Sequence, residues 1–123
     1  MNEERKNKNE NYPVFTKWMT ILNLIMDRAE GFPKSMRYSL TNRILNYSND
    51  ILEIIIEAIY SKEKISKLSR INIILEKLRI YFRICENRNY LSHKQSFRLS
   101  AEIDEFGKMI GGWKRKLENE TNR

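Results

Sequence analysis

A chain of 123 residues with 41% hydrophobic and 32% charged side chains is one domain long, apolar enough to bury a core without disulfide staples, and too apolar to remain disordered. Its single cysteine, Cys85, excludes an intrachain disulfide and fits a reducing compartment. No apolar run approaches the roughly 18 residues that a membrane span needs, and the formal net charge of +7 points to an anionic partner unless the cations form only a solvated face.

The opening stretch MNEERKNKNEN, residues 1–11, is polar and mixed in charge, so it reads as a disordered tail rather than a signal or transit peptide. A soluble cytoplasmic protein is expected. From residue 12 the pattern is helical to about residue 117, leaving 118–123 as a C-terminal tail. Helix 1 is expected from Pro13, which suits a first turn, to Glu30. Val14, Trp18, Ile21, Leu22, Ile25 and Ala29 recur on one face, and Gly31 stands where a terminating glycine would.

Helix 2 is expected as one piece from Pro33–Lys34 to Tyr60, roughly 40 Å long at 1.5 Å per residue. Its apolar positions are Met36, Leu40, Ile44, Tyr47, Ile51, Ile54, Ile55, Ala58 and Ile59, widened by Leu45, Leu52 and Ile56. Helix 3 is expected from Glu63 to Glu86. Leu68, Ile71, Leu75, Leu78, Phe82 and Cys85 make one stripe, and Ile73, Ile80 and Ile84 make a second on nearly the opposite side. One stripe faces a core; the second calls for a subunit interface, or for cover by loops or a tail.

Helix 4 is expected from Ser92, where Ser-x-x-Gln with Gln95 has the spacing of a capping box. Leu99, Ile103, Phe106, Ile110, Trp113 and Leu117 form its core stripe. Gly107, Gly111 and Gly112 interrupt it, and an interior glycine costs about 1 kcal/mol of helix stability against alanine, so each marks a break or a close approach. No segment alternates with period two. Four helices of similar length with short connections make an all-α, antiparallel up-down-up-down four-helix bundle.

Catalytic constellations are not visible. Cys85 lies on the core stripe and reads as a buried thiol, and the single histidine, His93, opens helix 4 as an exposed or capping residue. One histidine and one cysteine do not make a zinc site, no Glu-x-x-His pair of the di-iron type is present, and no glycine-rich phosphate loop follows a strand. No metal, cofactor or enzymatic activity is expected.

The positive charge is concentrated: residues 63–90 hold seven basic and three acidic groups. Lys67, Arg70, Lys77 and Arg88 fall on one flank of helix 3, with Arg79 and Arg83 on the other. Such side chains suit phosphate contacts, which are salt-dependent and blind to base identity, or a protein carboxylate. Tyr81 and Tyr90 have the chemistry to stack on unpaired bases, although core or interface packing is the commoner use of tyrosine.

Three stretches taken together carry a resemblance. Phe32-Pro33-Lys34-Ser35-x-Arg37 opens helix 2, Leu78-Arg79-x-x-x-Arg83 lies on helix 3, and Gly107-x-x-x-Gly111-Gly112-Trp113 closes helix 4. With the four-helix outline, they make the chain similar over most of residues 12–117 to the accessory variability determinant (Avd) proteins of diversity-generating retroelements. The related bundle family encoded in intervening sequences of 23S ribosomal RNA genes shares the Phe-Pro-Lys start, while the Gly-Gly-Trp ending leans to Avd.

The Avd resemblance implies a homopentameric barrel with a positive surface and no catalysis of its own. It would bind the element's reverse transcriptase and template RNA or cDNA during mutagenic reverse transcription. A binding role is carried most readily onto Arg79 and Arg83, then Arg70 and Lys77, with Lys67 and Arg88 beside them. Phe32, Pro33, Lys34, Arg37, Gly111, Gly112 and Trp113 are read mainly as fold determinants, the glycines as sites of close packing. Ile73, Ile80 and Ile84 are the expected oligomer interface. The alternative is a structural oligomerisation module, or an intervening-sequence-type bundle with no reverse-transcriptase partner.

Overall fold

The computed structural model describes residues 8–121 and is helical throughout, with no strand among the described residues. Four helices enclose one core: α1 (Pro13–Ala29), α2 (Asn42–Tyr60), α3 (Lys64–Asn87) and α4 (His93–Thr121). α1 touches α2 and α4, and α3 touches α2 and α4, so each helix has two neighbours around a shared apolar centre.

The buried face of α1 is Val14, Trp18, Ile21, Leu22, Ile25 and Ala29, the stripe expected from its spacing. Trp18 is fully buried, and its indole Nε1–H donates to the Ser48 carbonyl at 2.9 Å, so the ring adds apolar area without stranding a donor. Its ring meets Phe106 with centroids 4.8 Å apart. Ser48, a buried hydroxyl on α2, donates to the Ile44 carbonyl at 2.7 Å. Gly31 does not end α1 in a left-handed conformation, since no glycine has positive φ. The chain turns instead through Gly31 N–H to Arg28 O (3.1 Å) and Phe32 N–H to Ala29 O (3.1 Å).

The helix expected from Pro33 to Tyr60 is broken at its start. Lys34–Met36 form a 3-10 turn and Arg37–Thr41 a π turn before regular α2 begins at Asn42. None of residues 34–41 is fully buried; Met36 and Leu40 are half-buried, and Leu40 packs against the edge of the core, so little core contact holds the segment to α periodicity. At the far end of α2, the Lys64 ammonium donates to the Ala58 and Ile59 carbonyls (2.8 and 2.9 Å), a cation on the negative end of a helix. Desolvation, then Lys8 nearby, lowers its pKa.

α3 ends where Asn89 adopts φ 62° and the Tyr90 and Leu91 amides donate back to the Cys85 carbonyl (2.8 and 3.3 Å). Asparagine tolerates this left-handed geometry better than most side chains. α4 opens on the expected capping box: Ser92 N–H donates to Gln95 Oε1 (3.0 Å) and Gln95 N–H to Ser92 Oγ (3.1 Å).

Both ends differ from the expected tails. Lys8–Asn11 form a 3-10 turn with Asn9 buried, and α4 continues to Thr121. The rest of those expectations, residues 1–7 and 122–123, lies outside the described residues.

Candidate functional site

α3 carries most of the excess charge. Its inner face buries Leu68, Ile71, Ile74, Leu75, Leu78, Phe82 and Cys85. Ile74 was not on the expected stripe, and it widens the buried arc toward α2. Cys85 is fully buried, and desolvation pushes its thiol up to about 11, so it packs as an inert side chain. On the outer face Ile73, Ile80 and Ile84 are 60%, 43% and 38% exposed, so no loop or described terminal segment covers them. They form an apolar ridge between two polar edges of the helix.

Along the edge facing α4, Arg79 is engaged. Its Nη1 lies 3.3 Å from Glu76 Oε2 one turn back, and its Nη2 3.2 Å from Asp104 Oδ1 on α4. A Cβ placed on Gly107 would sit 3.5 Å from Arg79 Nη2 and 3.9 Å from Leu75, ordinary contact distances, so α4 faces α3 here without an approach close enough to require glycine. Arg83, one turn on, is exposed and joins no ion pair among the described residues. The two arginines share an edge but not an environment. Below them the exposed His93 Nδ1 lies 2.9 Å from Glu86 Oε2, and that hydrogen bond, with one to Ser96, holds the Glu86 carboxyl below its ordinary range.

The opposite edge, facing α2, divides into two halves. Toward the start of α3, Lys67 pairs with Glu57 at 3.2 Å, and Arg70 lines a cleft of about 320 Å³ with Asp50, Glu53 and Glu57. Here three carboxylates face two cations, so the positive charge of this half is fully countered. Toward the end of α3 the cations meet rings instead. Lys77 Nζ stands 5.4 Å from the Tyr47 centroid, Tyr47 packs on Tyr81 with centroids 5.9 Å apart, and Arg88 lies 5.9 Å from the Tyr90 centroid. Arg43 on α2 faces the same tyrosines, and hydrogen bonding to the Tyr47 oxygen, with Tyr81 close by, raises its pKa further. Sequence reasoning passed over Arg43 and Tyr38. Their signal was the run of polar and aromatic residues opening helix 2, which read only as a helix start.

The motif residues separate as well. Phe32 is buried against Tyr90 with centroids 6.1 Å apart, a plug beneath the break before α2. Pro33, Lys34, Arg37 and Thr41 border a cleft of about 300 Å³ beside that plug. Gly111 and Gly112 lie inside α4, and the nearest atoms to a Cβ there belong to Arg115 of the same helix, at 3.4 and 3.9 Å. The expected close packing of another helix is therefore absent at these two glycines among the described residues. Trp113 is half-buried at the rim, tilted against Tyr12 with centroids 5.4 Å apart, rather than a central core residue.

The architecture that holds these residues is also the stretch that a known family covers. A protein-family model described as bAvd-like matches residues 14–117, from the first buried residue of α1 to the last turns of α4. The chain belongs to the bAvd-like family. No curated protein matches it. In this bAvd-like chain no described helix is long and apolar enough to cross a membrane, and no three or more potential metal ligands cluster among the described residues.

Proposed function

We propose that this bAvd-like chain is a non-catalytic accessory protein of a diversity-generating retroelement. It binds the element's reverse transcriptase and template RNA or cDNA through a basic surface on an assembly of several copies, with a homopentamer as the expected form. The observation that carries this reading is the bAvd-like match over the whole bundle. It is supported by the excess of cations on α3 and by the uncovered Ile73–Ile80–Ile84 ridge, which has the spacing and exposure of a surface that another copy would cover.

The bundle is read as antiparallel, up-down-up-down. Contacts that run in opposite order along neighbouring helices support this: Tyr12 with Trp113 and Trp18 with Phe106, then Tyr47 with Tyr81 and Glu57 with Lys67. A second reading, a structural oligomerisation module whose charge only solubilises, is favoured by the intrachain pairing of Arg79, Lys67 and Lys17.

Light-scattering mass during size-exclusion chromatography, with and without structured RNA at low and high salt, separates the two. A mass near five subunits with salt-sensitive RNA binding is the expected result. A stable oligomer with no RNA or reverse-transcriptase affinity would leave the structural module, and a monomer without binding would overturn both.

A further inference from the structure

The start of α2 is unlike the rest of the bundle. A π turn, Arg37–Thr41, leads into it with no fully buried residue of its own, and such turns recur at functional sites. Tyr38 on that turn is 87% exposed, the most exposed large hydrophobic side chain among the described residues. It borders a cleft of about 340 Å³ with Arg43 on α2 and Tyr81 on α3. Behind Tyr81 stands Tyr47, with the Lys77 ammonium over its ring. On the other side of the same turn, Lys34 and Arg37, two cations against the single carboxylate of Glu30, border the cleft next to Phe32. No carboxylate lines the Tyr38–Tyr81 cleft, whereas the acidic side chains of α2, Asp50, Glu53 and Glu57, line the cleft further along the helix with Lys67 and Arg70.

We propose that the cleft between Tyr38, Arg43 and Tyr81 is a stacking site for unpaired nucleotides, with Arg43, Lys77 and the Lys34–Arg37 turn holding the flanking phosphates. This rests on the nucleic-acid reading above and gives it a place and a ligand class: single-stranded RNA or DNA rather than duplex. Aromatic side chains serve this purpose because every base has a π face, and cations beside them supply the strand's counter-charge without reading sequence. The exposed Tyr38 ring gains contact area only when something covers it, and the positive, carboxylate-free lining disfavours a basic or cationic partner.

The test is fluorescence anisotropy with a labelled short oligouridine, its deoxy counterpart and a labelled duplex, on the full chain. Tyr38→Ser and Tyr81→Leu are each expected to weaken single-strand binding about tenfold, leave duplex binding within about twofold, and leave the oligomeric mass unchanged. Tyr38→Phe keeps the ring and is expected to bind as the wild type does. Tyr38 is too exposed for its loss to unfold the bundle, which keeps the result readable if Tyr81→Leu destabilises it. RNA and DNA strands bound equally would assign the site to bases and phosphates, and an RNA-only loss would assign it to the template.

If the wild type binds single strands and Tyr38→Ser binds them equally well, the stacking site is wrong and the accessory function stands. If the wild type binds no nucleic acid, both fall. If Tyr38→Ser changes the oligomeric mass, the cleft is a subunit contact and the inference is overturned.

Discussion

The two edges of α3 use the same residue types for opposite ends. On the α4 side, Arg79 reaches Asp104 and Glu76, and Lys17 of α1 bridges Glu102 and Glu105 (2.7 and 3.0 Å), so cations help clamp α4 to its neighbours. On the α2 side, near the end of α3, Lys77 stands over the Tyr47 ring, Arg43 hydrogen-bonds the Tyr47 oxygen, and Tyr38 stands in solvent. Both edges are positive in sequence. What differs is what lies across the groove: α4 offers carboxylates, whereas α2 offers carboxylates beside the start of α3 and phenols beside its end. A paired cation contributes to the fold and presents a weakened field outward, whereas a cation over an aromatic ring keeps its full charge available. Net charge therefore overstates how much of α3 is ready for an anionic partner.

The largest expected effect comes from the ridge that separates the edges. Ile80→Glu is expected to abolish assembly in a light-scattering experiment while circular dichroism stays helical, because it sets a charge in the centre of the uncovered stripe. A variant that remains assembled would move the interface elsewhere.

Next comes the division between Arg79 and Arg83. Arg83→Ala is expected to leave thermal stability unchanged and to reduce the salt slope of RNA binding by about one. Arg79→Ala is expected to cost about 0.5–1 kcal/mol in chemical denaturation and to change the slope less, since its charge is already countered. The reverse ranking would mean that the Arg79 pairs open in the complex, and the contrast between the edges would fail.

A smaller effect tests the glycines. Gly111→Ala and Gly112→Ala place a methyl only against the flexible end of Arg115 and remove glycine from a helix interior. Each is expected to stabilise the monomer by up to about 1 kcal/mol. Loss of assembly despite that gain, seen as a fall in mass, would show that another subunit's backbone lies against α4 there.

The smallest effect is at the Glu86–His93 pair. The Glu86 carboxyl is held below its ordinary range, chiefly by His93, so its contribution is present above the unfolded glutamate range and is lost as pH falls through the folded value. The denaturation midpoints of wild type and His93→Ala are expected to differ slightly in mildly acidic buffer and to converge at lower pH. A constant gap would remove His93 as the cause.

Most of the scaffold was legible from spacing alone. The six buried positions of α1, the capping box at Ser92, the core placement of Cys85 and the second stripe of α3 all follow from periodicity and local backbone chemistry, which act within a turn or two of the chain. Ser48 shows the limit of that reading. A serine on an apolar face looks like an interruption until Ile44's carbonyl is seen to accept from its hydroxyl and Trp18 to donate to its own carbonyl. Ile74 and Leu91 were passed over because their burial depends on where α2 and the α3–α4 turn lie.

What governs the candidate site is of another kind. Periodicity put Arg79 and Arg83 side by side and could rank them only as equals, because a helix spacing says which residues share a face and nothing about the partner across the groove. Asp104 lies twenty-five residues from Arg79 in sequence, and Tyr81 lies thirty-four from Tyr47. Pairing over such separations is set by how the helices pack, and because water and salt screen exposed charges beyond about 10 Å, packing determines which charges are spent inside the fold and which remain for a partner.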